Sequence, residues 1–117
     1  MRNFKQLLVW QKSHKLVLLI YKASSKFPKE ESFGITSQLR RAVVSIPCNI
    51  AEGCGRETAP DLARFLSIAM GSASETEYLI LLSRDLEYLT DTEFMLLNDE
   101  LIESKKMLNT LIRKIKS

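Results

Sequence analysis

Histidine occurs once in the 117 residues, as His14, beside two cysteines, three prolines and four glycines. One imidazole and no C-x-x-C pair leave nothing from which a zinc site of ordinary ligand spacing could be assembled. Cys48 and Cys54 face different directions around a helix, so the expectation is two small thiols in a reducing compartment rather than an intrahelical disulfide. So few glycines and prolines argue against a protein of many short strands and turns. The longest apolar run, Leu16 to Tyr21, falls far short of the ~20 residues of a membrane span. Gln11, Lys12, His14 and Lys15 interrupt the N-terminal segment and no small-residue cleavage site follows, which predicts a cytoplasmic protein with no membrane association. The chain also lacks G-x-G-x-x-G, Walker and H-E-x-x-H motifs, and no Glu-x-x-His pair offers a carboxylate metal site in a bundle. Glu75 and Glu77, two apart on a helix, cannot share a face, and His14 between Trp10 and Leu18 reads as a packed or half-exposed imidazole. No enzyme activity, cofactor or metal is therefore expected.

What is present is the composition of one soluble domain over residues 1–117, with 45% hydrophobic and 26% charged residues. A 13.4 kDa chain buries roughly two-thirds of its unfolded surface and needs no staple. The net charge of +3 is unevenly spread: +7 over residues 1–29, −1 over 30–58, −8 over 59–104 and +5 over 105–117. Such segregation favours an anionic partner or association of basic with acidic surfaces, unless basic and acidic helices simply neighbour each other in one bundle.

Four amphipathic segments follow from helical periodicity. The first, about Leu7 to Lys26, carries Val9, Ser13, Leu16, Val17, Ile20, Ala23 and Phe27 on one face, and a second apolar stripe of Trp10, His14, Leu18 and Tyr21. Phe27-Pro28 ends it, because the residue before proline leaves the helical region. The second opens between Ser32 and Thr36 and runs to Gly53 with Ile35, Leu39, Ala42, Val43, Ile46 and Ile50 inward. Pro47 inside it predicts a kink near Val43 to Pro47 or a break into two helices, and Gly53-Cys54-Gly55 predicts a left-handed termination. Thr58, Pro60 and Asp61 open the third, expected over Asp61 to Leu89, on a stripe of Leu62, Phe65, Leu66, Ala69, Ala73, Thr76, Ile80, Ser83 and Leu86/Glu87. The small run Ala69 to Ser74 suggests a tight helix crossing. Thr90 and Glu93 match a capping box for the fourth, whose seam is Phe94, Leu97, Leu101, Ser104, Leu108, Leu111 and Ile115. Short connections predict an all-α, antiparallel up-down-up-down four-helix bundle.

Arg41, Ser45, Asn49 and Glu52 form a polar strip on the second helix with Arg40 beside it. The strip is either solvated or a subunit interface in which Asn49 and Glu52 meet donors of another chain. The second stripe of the first helix exceeds what one bundle buries, so self-association is expected.

The stretches Leu8-Val9-Trp10-Gln11-Lys12, Gln38-Leu39-Arg40-Arg41-Ala42, Ser45-Ile46-Pro47, Asn49-Ile50-Ala51-Glu52-Gly53 and Phe65-Leu66-Ser67-Ile68-Ala69-Met70-Gly71-Ser72 resemble, in order and over nearly the whole chain, the four-helix-bundle proteins encoded by intervening sequences of bacterial 23S rRNA genes. Cys48 stands where a small polar residue such as serine would be expected. The resemblance implies a ring-shaped homopentamer and kinship with the accessory protein of diversity-generating retroelements, which partners a reverse transcriptase and binds nucleic acid. It carries over no catalytic residue. Arg40, Arg41 and Arg56 are the motif positions it marks as interface or anion-contacting candidates, joining Trp10, His14, Leu18, Tyr21, Asn49 and Glu52 as candidate oligomer-interface residues.

Two function classes remain open on the sequence. One is RNA or DNA binding through Arg2, Lys5, Lys12 and Lys15 at the start of the first helix with Arg113, Lys114 and Lys116 at the end of the fourth, which an up-down bundle brings to one end. The other is a scaffold that binds only protein, its basic first helix docking on the acidic third helix of a neighbouring copy, with a partner such as a reverse transcriptase also open.

Overall fold

The computed structural model describes residues 2–117; Met1 lies outside them. Four long helices carry the chain: α1 (Leu8–Ser24), α2 (Ile35–Cys54), α3 (Ala59–Asp85) and α4 (Asp91–Lys116). Short 3-10 turns at Phe4–Gln6 and Lys29–Glu31 precede α1 and α2, and no strand occurs among the described residues. α1 packs on α2 and α4, and α3 packs on the same two, whereas α1 and α3 lie diagonally opposed and are not direct neighbours. The four faces so enclosed bury Leu16, Ile20, Val43, Ile46, Ile50, Leu66, Ile80 and Leu101 completely. Each such side chain contributes about 1.5–3 kcal/mol of transfer free energy, which is why the 3.6-residue seams alone determine the architecture.

The helix starts follow their capping chemistry. Thr58 accepts from the Asp61 N–H at 3.3 Å, and Thr90 and Glu93 form a reciprocal box, Glu93 N–H to Thr90 Oγ1 at 3.1 Å and Thr90 N–H to Glu93 Oε1 at 2.9 Å. Ser24 donates to Ile20 O at 2.6 Å and Ser83 to Leu79 O at 2.7 Å within their own helices, whereas the Ser104 hydroxyl on the α4 seam is buried without a partner among the described residues. Polar ties join each packed pair of helices. Arg40 Nε donates to Ser24 Oγ at 2.9 Å, Ser72 Oγ to Ser45 Oγ at 2.8 Å, Lys105 Nζ to Glu77 at 2.8 Å, and Lys12 Nζ lies 2.9 Å from Glu100.

Several expectations change, and of the two alternatives left open at Pro47 the break does not occur. α1 stops at Ser24 rather than Lys26, and α2 runs through Pro47 without a break, the ring being buried against the core. The left-handed termination at Gly53-Cys54-Gly55 does not occur: Gly53 lies inside α2 and Gly55 caps it with φ −85°. A β-carbon at Gly53 would stand 3.0 Å from Leu62 Cδ1 and Phe65 Cβ, so this glycine serves close approach of α3 rather than a turn. The third helix ends at Asp85, four residues early, because Glu87 takes φ 64° and closes a Schellman motif, its N–H bonding to Arg84 O and that of Tyr88 to Ser83 O at 2.8 Å each. Leu86 and Glu87 are consequently exposed rather than part of the seam. Within the small run, Ala69 and Ala73 are buried at the crossing, but Gly71 points outward with nothing near its missing β-carbon.

Candidate nucleic-acid interface

One end of the bundle gathers the chain start, the end of α2, the start of α3 and the end of α4. The Arg2 N–H donates to Cys54 O at 3.1 Å, which pins the N-terminal segment on the end of α2. Asn3 then caps the first 3-10 turn through Lys5 N–H at 3.1 Å, and Gln11 Nε2 donates to Lys5 O at 2.8 Å. A cleft of about 270 Å³ opens here, with Arg2, Arg56, Lys114 and the Thr58–Ala59 start of α3 in its wall and Glu57 at its rim. An adjoining groove of about 450 Å³ carries Arg64 and Lys116. Burial in the cleft floor pushes the Cys54 thiol up, against the opposing pull of Arg2.

Five of the seven candidate nucleic-acid cations, Arg2, Lys5, Arg113, Lys114 and Lys116, lie at the chain termini and have no ion-pair partner among the described residues. Lys12 and Lys15 differ. Both reach Glu100 on α4, at 2.9 and 3.3 Å, and the mostly buried carboxylate is held below the ordinary glutamate range, first by the Lys12 hydrogen bond and against its desolvation. Lys26 likewise pairs with Glu93, whose carboxyl is lowered by that contact and by the Thr90 amide. Part of the basic first helix is thus neutralised by the acidic stretch of α4 inside one chain.

Two aromatic arrangements flank this end. Phe4 meets Trp10 edge-on at 4.9 Å, and Trp10 stacks on His14 at 5.1 Å with 6° between planes. Phe65, expected in the core, lies half-buried beneath two guanidiniums, Arg56 at 4.7 Å and Arg64 at 4.4 Å from its ring centre. Arg56 also reaches Glu52 at 3.3 Å and Asp61 at 3.7 Å, and Arg64 reaches Asp61 at 2.9 Å. The periodic stripe hid this arrangement, because Phe65 is at core spacing while the cations come from the α2–α3 connection and from the residue next to it.

The candidate interface residues divide in the same way. Leu18, Tyr21, His14 and Arg41 are exposed and Trp10 is half-buried. Arg40 is used within the chain, donating to Tyr21 O at 3.2 Å and lying 4.5 Å from the centre of the Tyr21 ring. Asn49 donates to Ser45 O and Oγ at 2.8 and 2.9 Å and Glu52 meets Arg56, so the strip has partners within its own chain except at Arg41, which is exposed. Sequence reasoning missed Phe33, whose side chain is fully exposed at the mouth of an approximately 570 Å³ groove between α2 and α3, lined also by Arg41 and Glu75.

The 23S rRNA-intervening sequence protein family matches residues 5–110. The chain belongs to that family. A crystal structure of a protein of unknown function from the S23 ribosomal protein family of Bacteroides thetaiotaomicron is similar at 30% identity, covering 90% of this chain and 98% of that one with a TM-score of 0.81. Among curated proteins, none matches the chain. The QLRRA, SIP and NIAEG stretches lie on α2 within the matched residues. In this family member they supply the Arg40 tie to α1, the buried Pro47 and the Gly53 approach to α3. No helix among the described residues is long and apolar enough to cross a membrane, and none of their His, Cys, Asp and Glu side chains group in threes to hold a metal ion.

Proposed function

We propose that this family member is a non-enzymatic cytoplasmic protein that assembles with its own copies into a five-membered ring and binds RNA through its basic end. An antiparallel up-down-up-down order of the helices is part of this reading. It is supported by pairs whose numbers rise along one segment as they fall on α4, Lys12 on α1 with Glu100 but Lys26, just beyond the end of α1, with Glu93. The observation that carries the RNA reading is the set of five unpaired cations at the end where both termini meet, two of them beside or within a cleft that also exposes the start of α3. Phosphate contacts that are individually weak act together when a ring repeats them.

The test is a titration of labelled 23S rRNA fragments at two salt concentrations with wild type and with Arg2→Glu combined with Lys114→Glu. Wild type binds at low salt, and the double reversal loses about tenfold or more in affinity, as expected when several phosphate contacts are removed from a polyanion. Equal affinity of the two proteins, or no binding at low salt, rejects the reading. A scaffold that binds only protein, whether its own copies or a partner such as a reverse transcriptase, would then stand, favoured by the neutralisation of Lys12, Lys15 and Lys26 inside the chain.

A further inference from the structure

The outer faces of α1 and α3 are unlike each other and look out from opposite sides of the bundle, since α2 and α4 separate the two helices. On α1 the outward side presents bulk: Leu18 at 58% exposure and Tyr21 at 42%, one helical turn apart, with Lys22 beside them. On α3 the outward side is shallow in its middle. Gly71 and Ser74 are exposed, with Ile68 before them and Tyr78 after them on the same face.

Gly71 is informative because nothing in its own chain requires it. A β-carbon there meets no atom within 4 Å, and φ is not in the left-handed region. A glycine inside a helix is less favourable than alanine, so its use has to be sought outside the chain, where a second helix would gain the space. Charge narrows what that helix is. Among the described residues Glu75 on α3 and Lys22 on α1 have no ion-pair partner, whereas Glu77, Asp61 and Asp85 on α3 are paired with Lys105, Arg64 and Arg84. α1 contains no acidic residue at all. Packing α1 on another α1 would therefore oppose lysines, and α3 on α3 would oppose Glu75 with its own copy, whereas α1 on α3 matches bulk with space and cation with carboxylate.

We propose that the outer face of α3, centred on Gly71, receives the outer face of α1, centred on Leu18 and Tyr21, from a second copy of this chain. This rests on the self-assembly proposed above and specifies its contact. Each copy then donates one face and accepts on another, a heterologous contact that closes into a ring or propagates, in contrast to the paired identical patches of a two-fold dimer.

Gly71→Arg blocks the accepting face and Leu18→Glu the donating face. Both positions are exposed, and arginine is a better helix former than glycine. The carboxylate introduced by Leu18→Glu would lie four residues before Lys22, in the favourable order for a helical ion pair. Both variants therefore keep the wild-type far-ultraviolet helical spectrum. In sedimentation velocity the wild type is assembled and each variant alone is a 13.4 kDa monomer. Mixed in equal amounts the two variants form a complex of twice that mass and nothing larger, because only one intact pair of faces remains. A mixture that stays monomeric, or a variant that still assembles as the wild type does, overturns the pairing of faces while leaving self-assembly intact. A monomeric wild type overturns self-assembly and this contact with it.

Discussion

Two glycines at the end of α2 make opposite demands on an added methyl group. At Gly53 alanine gains about 0.8–1 kcal/mol of helix propensity. Its β-carbon would however sit 3.0 Å from both Leu62 Cδ1 and Phe65 Cβ and 3.3 Å from Leu62 O, against a rigid neighbouring helix. Overpacking of that kind costs about 1–3 kcal/mol, so Gly53→Ala should be destabilised by about 1 kcal/mol net. At Gly55 the backbone is at φ −85°, ψ −4°, and the nearest atom to a new β-carbon is Glu52 O at an ordinary 3.5 Å. Gly55→Ala should therefore be neutral or stabilised by up to about 1 kcal/mol through the unfolded chain. For a chain of 117 residues, 1 kcal/mol corresponds to about 4 °C in melting temperature. Calorimetry or thermal circular dichroism at one fixed protein concentration should place Gly53→Ala about 4 °C below wild type and Gly55→Ala at or above it. A loss of more than about 1 kcal/mol at Gly55, the amount a left-handed residue demands of alanine, or a gain at Gly53, would refute the close-approach account.

Glu87→Gly should stabilise by about 0.5–1 kcal/mol, measured by urea denaturation, because a non-glycine residue at φ 64° carries left-handed strain that glycine lacks; an unchanged midpoint would contradict the Schellman assignment. Stability should fall on acidification below the ordinary glutamate value of 4.5, since Glu100 and Glu93 are both held lower in the folded state. Their contribution is complete above the ordinary value and is lost as pH falls through the lowered ones. Melting curves of Glu100→Gln between pH 7 and pH 3 should show a shallower decline than wild type, and an identical decline would remove Glu100 from the account.

The seams of the four helices, apart from Phe65 and Leu86/Glu87 on α3, and both threonine caps were legible, because each depends on residues three or four apart in one segment. Features that depend on what lies across the bundle were not. Gly53 reads as a terminator until Leu62 and Phe65 are seen to press on it. Lys15 reads as a free cation until Glu100, 85 residues away, is found 3.3 Å from it. The early end of α3 was hidden for a different reason: its left-handed position is held by glutamate, a residue type that carries no such signal. For the candidate site, the meeting of Arg2 with Lys114 at one end followed from helix order, whereas the contribution of Arg56 and Arg64 around Phe65 required the packed start of α3.

The most direct test of a repeated, phosphate-contacting ring is the slope of log binding constant against log salt concentration for a single-stranded rRNA fragment. With one phosphate contact from each of five subunits the slope should be about −0.7 × 5, or roughly −3.5. A slope near −0.7, about the value for one contact from one subunit, or binding that does not respond to salt, would contradict the account.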